Sequence, residues 1–359
     1  MVDDKTTSQA DSALVQFGIF DWVDRNQLQL PDLYEQRLQC LEYADEAGFY
    51  CYHLAEHQAT PLAMAPSPSV FLAAAIQRTR RIHLGPLVYL LPLYNPLRLA
   101  QEICMLDNMS RGRLEVGVGR GVSPYELAFY NVSPQEARAM FREALDILIA
   151  ALTTGEVSYA GTYFSFKNVR LHIAPYQRPY PPLWYPTDNT NSITWLAQEG
   201  LNTITHYPPM TTMRELFDLY KRVWQEHHAK PDRLNAHVPD PKYGIVRHVY
   251  VAETDAQALH EARAAFADFI DNFNYLRVVH GDTGGRAAYL ADFAARLGEG
   301  LHIVGSPDTV KQRVQEHMHI TGSNYFVGSF CFGSLSREQT LRSLRLFAQE
   351  VMPAFQRPG

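Results

Sequence analysis

LDNMSRGRLEVGVGRGVS, residues Leu106–Ser123, is the stretch on which the fold reading turns. It runs from a helix end through a turn at Gly112 into a short apolar strand, Leu114–Val118, and stops at Gly119-Arg120-Gly121. A cation is left at the C-terminal end of a strand, flanked by residues that let a ligand approach the backbone. An α/β barrel places its chemistry at that end. The segment also begins with the spacing of a dinucleotide loop, but Val122 stands where the third glycine belongs and several alternating elements precede the strand. The Rossmann reading is therefore set aside. Taken alone, the segment is equally a Gly-rich turn with a solvated arginine.

Outward from it, strands and helices alternate. Upstream, Val15–Phe20, Phe49–Leu54 and Ile82–Val88 read as buried strands, and Pro31–Ala47, Pro68–Arg78 and Pro96–Met109 as helices. Downstream, Pro134–Leu152 carries the apolar stripe of an amphipathic helix packed on a sheet. The strands Leu183–Tyr185, Asn202–Thr205 and Tyr243–Val251 follow, with helices Ser192–Gln198, Met213–Ala229 and Ala256–Phe269 between and after them. After the short run Ile303–Val304 come helix Thr309–His319, a last strand Asn324–Phe330 and a last helix Glu338–Phe355. Repeated βα units imply a parallel sheet. Eight of them fit a closed (β/α)8 TIM barrel with insertions better than an open doubly wound sheet, because a barrel tolerates loop growth on its catalytic face. The insertions fall near 153–182, with a hairpin around Tyr163–Leu171, and near 280–300, where GDTGG and GEG suit a mobile lid or a long surface loop. Residues 1–13 read as a disordered polar arm and 14–359 as a single domain.

Composition narrows the function classes. The 359 residues are 46% hydrophobic and 19% charged, enough apolar material for a large core. A formal net charge of −6 without a basic stripe argues against a nucleic-acid binder and favours small-molecule or protein partners. Cys40, Cys51, Cys104 and Cys331 are too scattered for a zinc site or a disulfide framework and read as reduced core thiols. With no signal-peptide core and no apolar run of membrane-spanning length, the expectation is a soluble, cytoplasmic protein without a membrane or metal partner.

The barrel reading directs attention to the strand C-termini. Glu56-His57 follows the second strand, Arg120 the fourth, and Asp188-Asn189-Thr190-Asn191-Ser192 the fifth; Arg138, early in the next helix, can point back over the same face. An arginine beside a helix start is how a barrel commonly holds phosphate. The DNTNS run is equally an ordinary capping cluster. Phe20, Trp22, Tyr52, Tyr185 and Tyr207, near strand ends, are candidates for an apolar substrate pocket.

The chain resembles the bacterial luciferase-like family of flavin-dependent oxidoreductases. The resemblance rests on LAEHQ (Leu54–Gln58), GPLVYLLPLYNPLRLAQE (Gly85–Glu102), LDNMSRGRLEVGVGRG, SPQEARAMF (Ser133–Phe141), DNTNSITWLAQEG, VGSPDTV and FAQEVMPAF, in the family's order and over nearly the whole chain. It implies a barrel that binds reduced FMN and reacts it with O2, through a flavin C4a-hydroperoxide, to oxidise a small and largely apolar organic substrate. It further implies Arg120 and Arg138 as phosphate-binding arginines, Asn189 and Ser192 as donors completing that site, and a cis peptide at Leu87-Val88 beneath the flavin ring. His57 matches the family's active-site histidine and Glu56 the acidic residue beside it, a carboxylate that raises an imidazole pKa if the side chains meet. Two positions depart from the luciferase α subunit: Gln58 replaces a second histidine, and Gly119 replaces a reactive cysteine and enlarges the pocket. Light emission from a long-chain aldehyde is therefore not inferred. No NAD(P)H fingerprint is visible, so a separate NAD(P)H:flavin reductase would supply reduced flavin. A homodimer is implied by analogy. The alternatives are an F420-dependent dehydrogenase of the same superfamily, which would need further basic residues near the phosphate site, and a non-catalytic flavin-binding paralogue.

Overall fold

The computed structural model describes residues 15–282, 289 and 291–355. The N-terminal arm, and residues 283–288 and 290 of the second insertion, lie outside them. Eight parallel strands form the centre: β1 (Gln16–Asp21), β2 (Cys51–Leu54), β3 (His83–Pro86), β4 (Val116–Gly119), β5 (Leu183–Trp184), β6 (Thr203–Thr205), β7 (Tyr243–Val251) and β8 (Tyr325–Ser329). Regular ladders join β8 to β1, β1 to β2, β2 to β3, β4 to β5, β6 to β7 and β7 to β8. Between β3 and β4 the seam is a parallel bridge, Leu84 with Leu114, continued by the short strand Tyr89–Leu90 paired in parallel with Val118 and Gly119; between β5 and β6 it is a single parallel bridge, Trp184 with Asn202. At the first, Leu84 N–H donates to the Arg113 carbonyl and Glu115 N–H to the Leu84 carbonyl, each at 3.0 Å. Together these pairings close the ring.

Local chemistry explains why the deciding stretch turns where it does. Helix Pro96–Ser110 starts under an Asn95 cap, whose side chain accepts from Leu97 N–H and Arg98 N–H. It ends with Arg111 and Gly112 both left-handed, at φ 57° and 82°, and the Gly112 N–H returning to the Asp107 carbonyl. That reversal points the next residues up through the barrel as β4.

The main apolar core lies between strands and outer helices, with Leu33, Leu72, Ile103, Leu148, Phe217 and Phe347 among its members. A second cluster, including Phe20, Trp22, Phe266, Phe269 and Phe332, packs the long helix Asp255–Val279 against the strand exits. Among the described residues no helix is long and apolar enough to cross a membrane.

Three features differ from the sequence reading. The helix expected over Ala256–Phe269 continues to Val279. Asn272 and Asn274 break its helix propensity on paper, but Asn272 Nδ2 donates to the Arg25 carbonyl at 2.7 Å, so tertiary contact carries the helix on. The run around Ile303–Val304 is a ninth strand, His302–Gly305, paired to the second half of β7 outside the ring. The first insertion is a hairpin, Glu156–Ala160 with Ser165–Arg170, leaving the C-terminal end of helix Ala137–Thr154. It grows from a helix-to-strand connection rather than from the catalytic face, and folds back along its helix, where the Glu143 carboxylate accepts from Thr162, Tyr163 and Phe164 N–H.

Candidate active site

A cavity of about 1510 Å3 opens at the strand C-termini. Glu56, His57, Leu87, Val88, Arg120, Arg138, Asn189 and Ser192 all line it. Five chain segments thus deliver their polar or apolar groups to one space, although the positions span more than a hundred residues of sequence.

Arg120 leaves β4 and Arg138 sits in the first turn of helix Ala137–Thr154. Both are exposed to the cavity, and neither makes a hydrogen bond or ion pair among the described residues. They converge on Tyr185: burial pushes its phenol pKa up, and the two guanidiniums pull it back down. Arg142, one turn beyond Arg138, faces the same cavity and was not singled out from sequence. Across from them, Asn189 caps helix Thr190–Glu199, its side-chain oxygen accepting from Ser192 N–H at 3.0 Å. The capping reading and the anion reading are thus both compatible with one residue. Capping uses the Asn189 side-chain oxygen and the Ser192 N–H and leaves the Asn189 NH2 and the Ser192 hydroxyl without a hydrogen bond among the described residues, in the cavity that the arginines also line and at a helix end whose dipole favours negative charge.

The acid-base groups pair differently from the sequence reading. Glu56 does not meet His57. Its two carboxylate oxygens accept from Gln58 Nε2 at 2.8 Å and from Leu90 N–H at 3.0 Å. Burial pushes its pKa up to about 7, against the pull of Leu90, Tyr94 and Gln58. The partner of His57 is Glu126, whose Oε1 lies 3.0 Å from His57 Nδ1 while its Oε2 accepts from Gln58 N–H at 2.9 Å. Glu126 is almost fully buried, so it fixes the imidazole through Nδ1 at the cavity that His57 lines. Sequence reasoning missed this residue. Ser123-Pro124-Tyr125-Glu126 does carry a capping-box pattern that marks a helix start. Helix Pro124–Phe129 indeed begins there, with Ser123 accepting from Glu126 N–H. What no pattern shows is that the Glu126 carboxylate turns to His57 instead of back to its own cap.

Gln58, at the position of the second luciferase histidine, is wholly committed to scaffolding: its Nε2 also donates to the Pro66 carbonyl, and its Oε1 accepts from the Tyr130 hydroxyl. The Leu87-Val88 peptide is cis. Gly119 does not enlarge the pocket, because a Cβ there would fall 2.4 Å from Val88 Cγ2. The space of the family's cysteine is taken by a Val88 methyl. Of the candidate pocket aromatics, Phe20, Trp22, Tyr185 and Tyr207 line the cavity. Tyr52 does not; it is buried with its hydroxyl on Asp21 Oδ2 at 3.0 Å.

Comparison with known proteins agrees with this geometry. The chain is 35% identical to the uncharacterized protein y4wF of Sinorhizobium fredii, over 94% of this chain and 96% of that one. It is 26% identical to the oxygenase component of a flavin-dependent trigonelline monooxygenase from Acinetobacter baylyi, over 95% of this chain and 96% of the other. The crystal structure of the monooxygenase RslO1 from Streptomyces bottropensis superposes with a TM-score of 0.82 at 26% identity, over 95% of this chain and all of that one. The family model for luciferase-like monooxygenases matches residues 15–324. A closed parallel barrel, with two unpaired arginines facing a capped helix start at its strand exits, belongs to a chain that is a member of the luciferase-like monooxygenase family.

Proposed function

We propose that this protein is a flavin-dependent monooxygenase that uses reduced FMN and O2 to oxidise a small, largely apolar organic substrate, with reduced flavin delivered by a separate NAD(P)H:flavin reductase. The observation that carries the reading is the pair Arg120 and Arg138, cations with no hydrogen bond or ion pair among the described residues, in the cavity that the N-terminus of helix Thr190–Glu199 also lines. That donor set suits a phosphate monoester. Reduced flavin, when bound, supplies the two electrons with which O2 yields one oxygen atom to the substrate and one to water.

The chain's own residues have three tasks. Arg120, Arg138, the Asn189 amide, the Ser192 hydroxyl and the helix N–H groups hold the phosphate. Leu87 and Val88, with Phe20 and Trp22, offer an apolar wall that excludes water from the reacting atoms. His57, held through Nδ1 by Glu126, moves a proton at Nε2 to or from the substrate. Glu56 supports this arrangement from behind by holding Leu90 N–H, just beyond the cis peptide.

Anaerobic mixing of photoreduced FMN with the protein, followed by O2, tests the reading. Reoxidation slower than that of free reduced FMN, through a long-lived absorbing species, supports it; reoxidation at the free rate sinks it. Tighter binding of F420 than of FMN would move the protein to the dehydrogenase alternative, for which Arg142 offers the additional cation.

A further inference from the structure

Beside the large cavity lies a second, smaller pocket that nothing above uses. Its walls include His248, Arg296, Leu301 and His302, and it shares His206, Tyr207 and Phe273 with the large cavity. Its free volume of about 10 Å3 admits one water-sized group. His248 on β7 and His302 on the outer strand are direct neighbours in the parallel ladder, with ring centroids 5.4 Å apart. Trp22 stacks on His248 at an interplanar angle of 3°, and Phe293 on His302 at 19°, so both imidazoles are held in place.

The polar atoms of this pocket are unsatisfied. Each histidine is 4% exposed, and by distance and angle none of the four ring nitrogens has a hydrogen-bond partner among the described residues, although the Leu301 backbone lies close enough to His302 to favour its protonated form. Arg296, also 4% exposed, gives Nη2 to Glu299 at 2.9 Å but has no partner for Nε. Burial drives the His248 pKa down to about 3 and holds His302 well below its usual value, with the nearby Arg247 and Arg296 charges acting on His302 in the same direction. Both rings are therefore neutral, and each offers one N–H donor. Buried nitrogens without partners are rare and costly. The neighbours Phe266, Phe269 and Ile270 show that apolar side chains fit this wall, so folding alone gives no reason for two histidines here; Arg296 is held by Glu299 and the Tyr289 ring, and only its Nε is left over.

We propose that this pocket is a recognition subsite for the non-reacting end of the substrate, and that it takes one neutral acceptor oxygen, a carbonyl, of an otherwise apolar molecule. The donors are the His248 and His302 N–H groups and Arg296 Nε. There is room for a single oxygen. The inference rests on the reading that the large cavity accepts an organic substrate. It names the substrate class as apolar ketones, aldehydes, lactones or esters whose carbonyl reaches between β7 and the outer strand.

Acetophenone and its isostere α-methylstyrene, which has a methylene in place of the oxygen, test this on the flavin-free protein, where no turnover intervenes. Acetophenone should bind about tenfold or more tightly than α-methylstyrene and move the ring-nitrogen NMR signals of His248 and His302. In His302→Phe the preference should fall below about twofold, and His302→Gln, which keeps a donor, should restore part of it. Equal affinity for the two probes in the unaltered protein overturns the proposal, as does a preference that survives both His248→Phe and His302→Phe. Tighter binding of benzoate than of acetophenone overturns the neutral-oxygen assignment. FMN affinity should be unchanged in these variants; a ketone preference in a protein that fails to bind FMN would refute the flavin reading and leave this one standing.

Discussion

The two ends of the barrel each hold an arginine and a buried glutamate, and treat them in opposite ways. At the start of β4, Arg113 is fully employed: its guanidinium donates to the carbonyls of Ser110, Ile82, Ile76 and Thr79 and to the Thr79 hydroxyl. Glu115 beside it is buried but receives hydrogen bonds from the Tyr50 hydroxyl and Trp184 Nε1, with His83 Nδ1 3.2 Å away. Burial pushes its pKa up, and these donors outweigh burial and hold it below the usual value. At the exits, Arg120 makes no hydrogen bond or ion pair among the described residues, and Glu56, whose donors Leu90, Tyr94 and Gln58 do not outweigh burial, is pushed up to about 7. Partners at the closed end stabilise the fold; their absence at the open end leaves capacity for a ligand. Seven residues separate Arg113 from Arg120, so position along one strand decides which role an arginine takes.

This contrast can be broken or sharpened by experiment. The largest effect should come from Glu115→Ala, which strands the buried Trp184 Nε1 and the Tyr50 hydroxyl, removes the charge beside His83, and should cost about 3–5 kcal/mol in urea unfolding; a loss no larger than that of a surface substitution would end the claim that Glu115 organises the closed end. Arg113→Ala should cost about 2–3 kcal/mol by uncapping several carbonyls, with FMN affinity of the folded protein unchanged. Arg120→Ala should do the reverse. Its thermal midpoint should hold while FMN affinity drops about 10–100-fold, the worth of a charged hydrogen bond to phosphate, and retained affinity would refute the phosphate assignment.

The smallest effect concerns Glu56. Its folded pKa lies above its unfolded value of about 4.5, so its contribution to stability is fully present below that pH and is lost as pH rises through about 7. Between these limits it should add a downward slope of at most about 1.4 kcal/mol per pH unit. Glu56→Gln should remove that slope; an identical pH profile in the variant would show that Glu56 does not titrate there.

Much of this was legible in the residues, for identifiable reasons. The helix Pro68–Arg78 and strand Tyr243–Val251 fall where their apolar periodicity and Pro or Gly punctuation put them. Arg120, Arg138, His57 and Asn189 all line the cavity at the strand exits, a position legible in advance because barrel geometry says which end of a strand lies at that face. Other features were not legible. The Leu84–Leu114 and Trp184–Asn202 bridges carry no pairing signal in the sequence, and the Asp255–Val279 helix outlasts its local propensity.

Local sequence determined the alternation of strands and helices, the turn at Arg111 and Gly112, and the placing of a cation at the end of β4, because these depend on backbone sterics and on side chains a few residues apart. Only the tertiary structure decided who pairs with whom. It brought Glu126 to His57 across 69 residues, turned Glu56 away from its neighbour, filled the space beside Gly119 with Val88, and set His248 against His302. Those pairings depend on where side chains from separate strands point once the ring has closed, and no spacing along the chain encodes that.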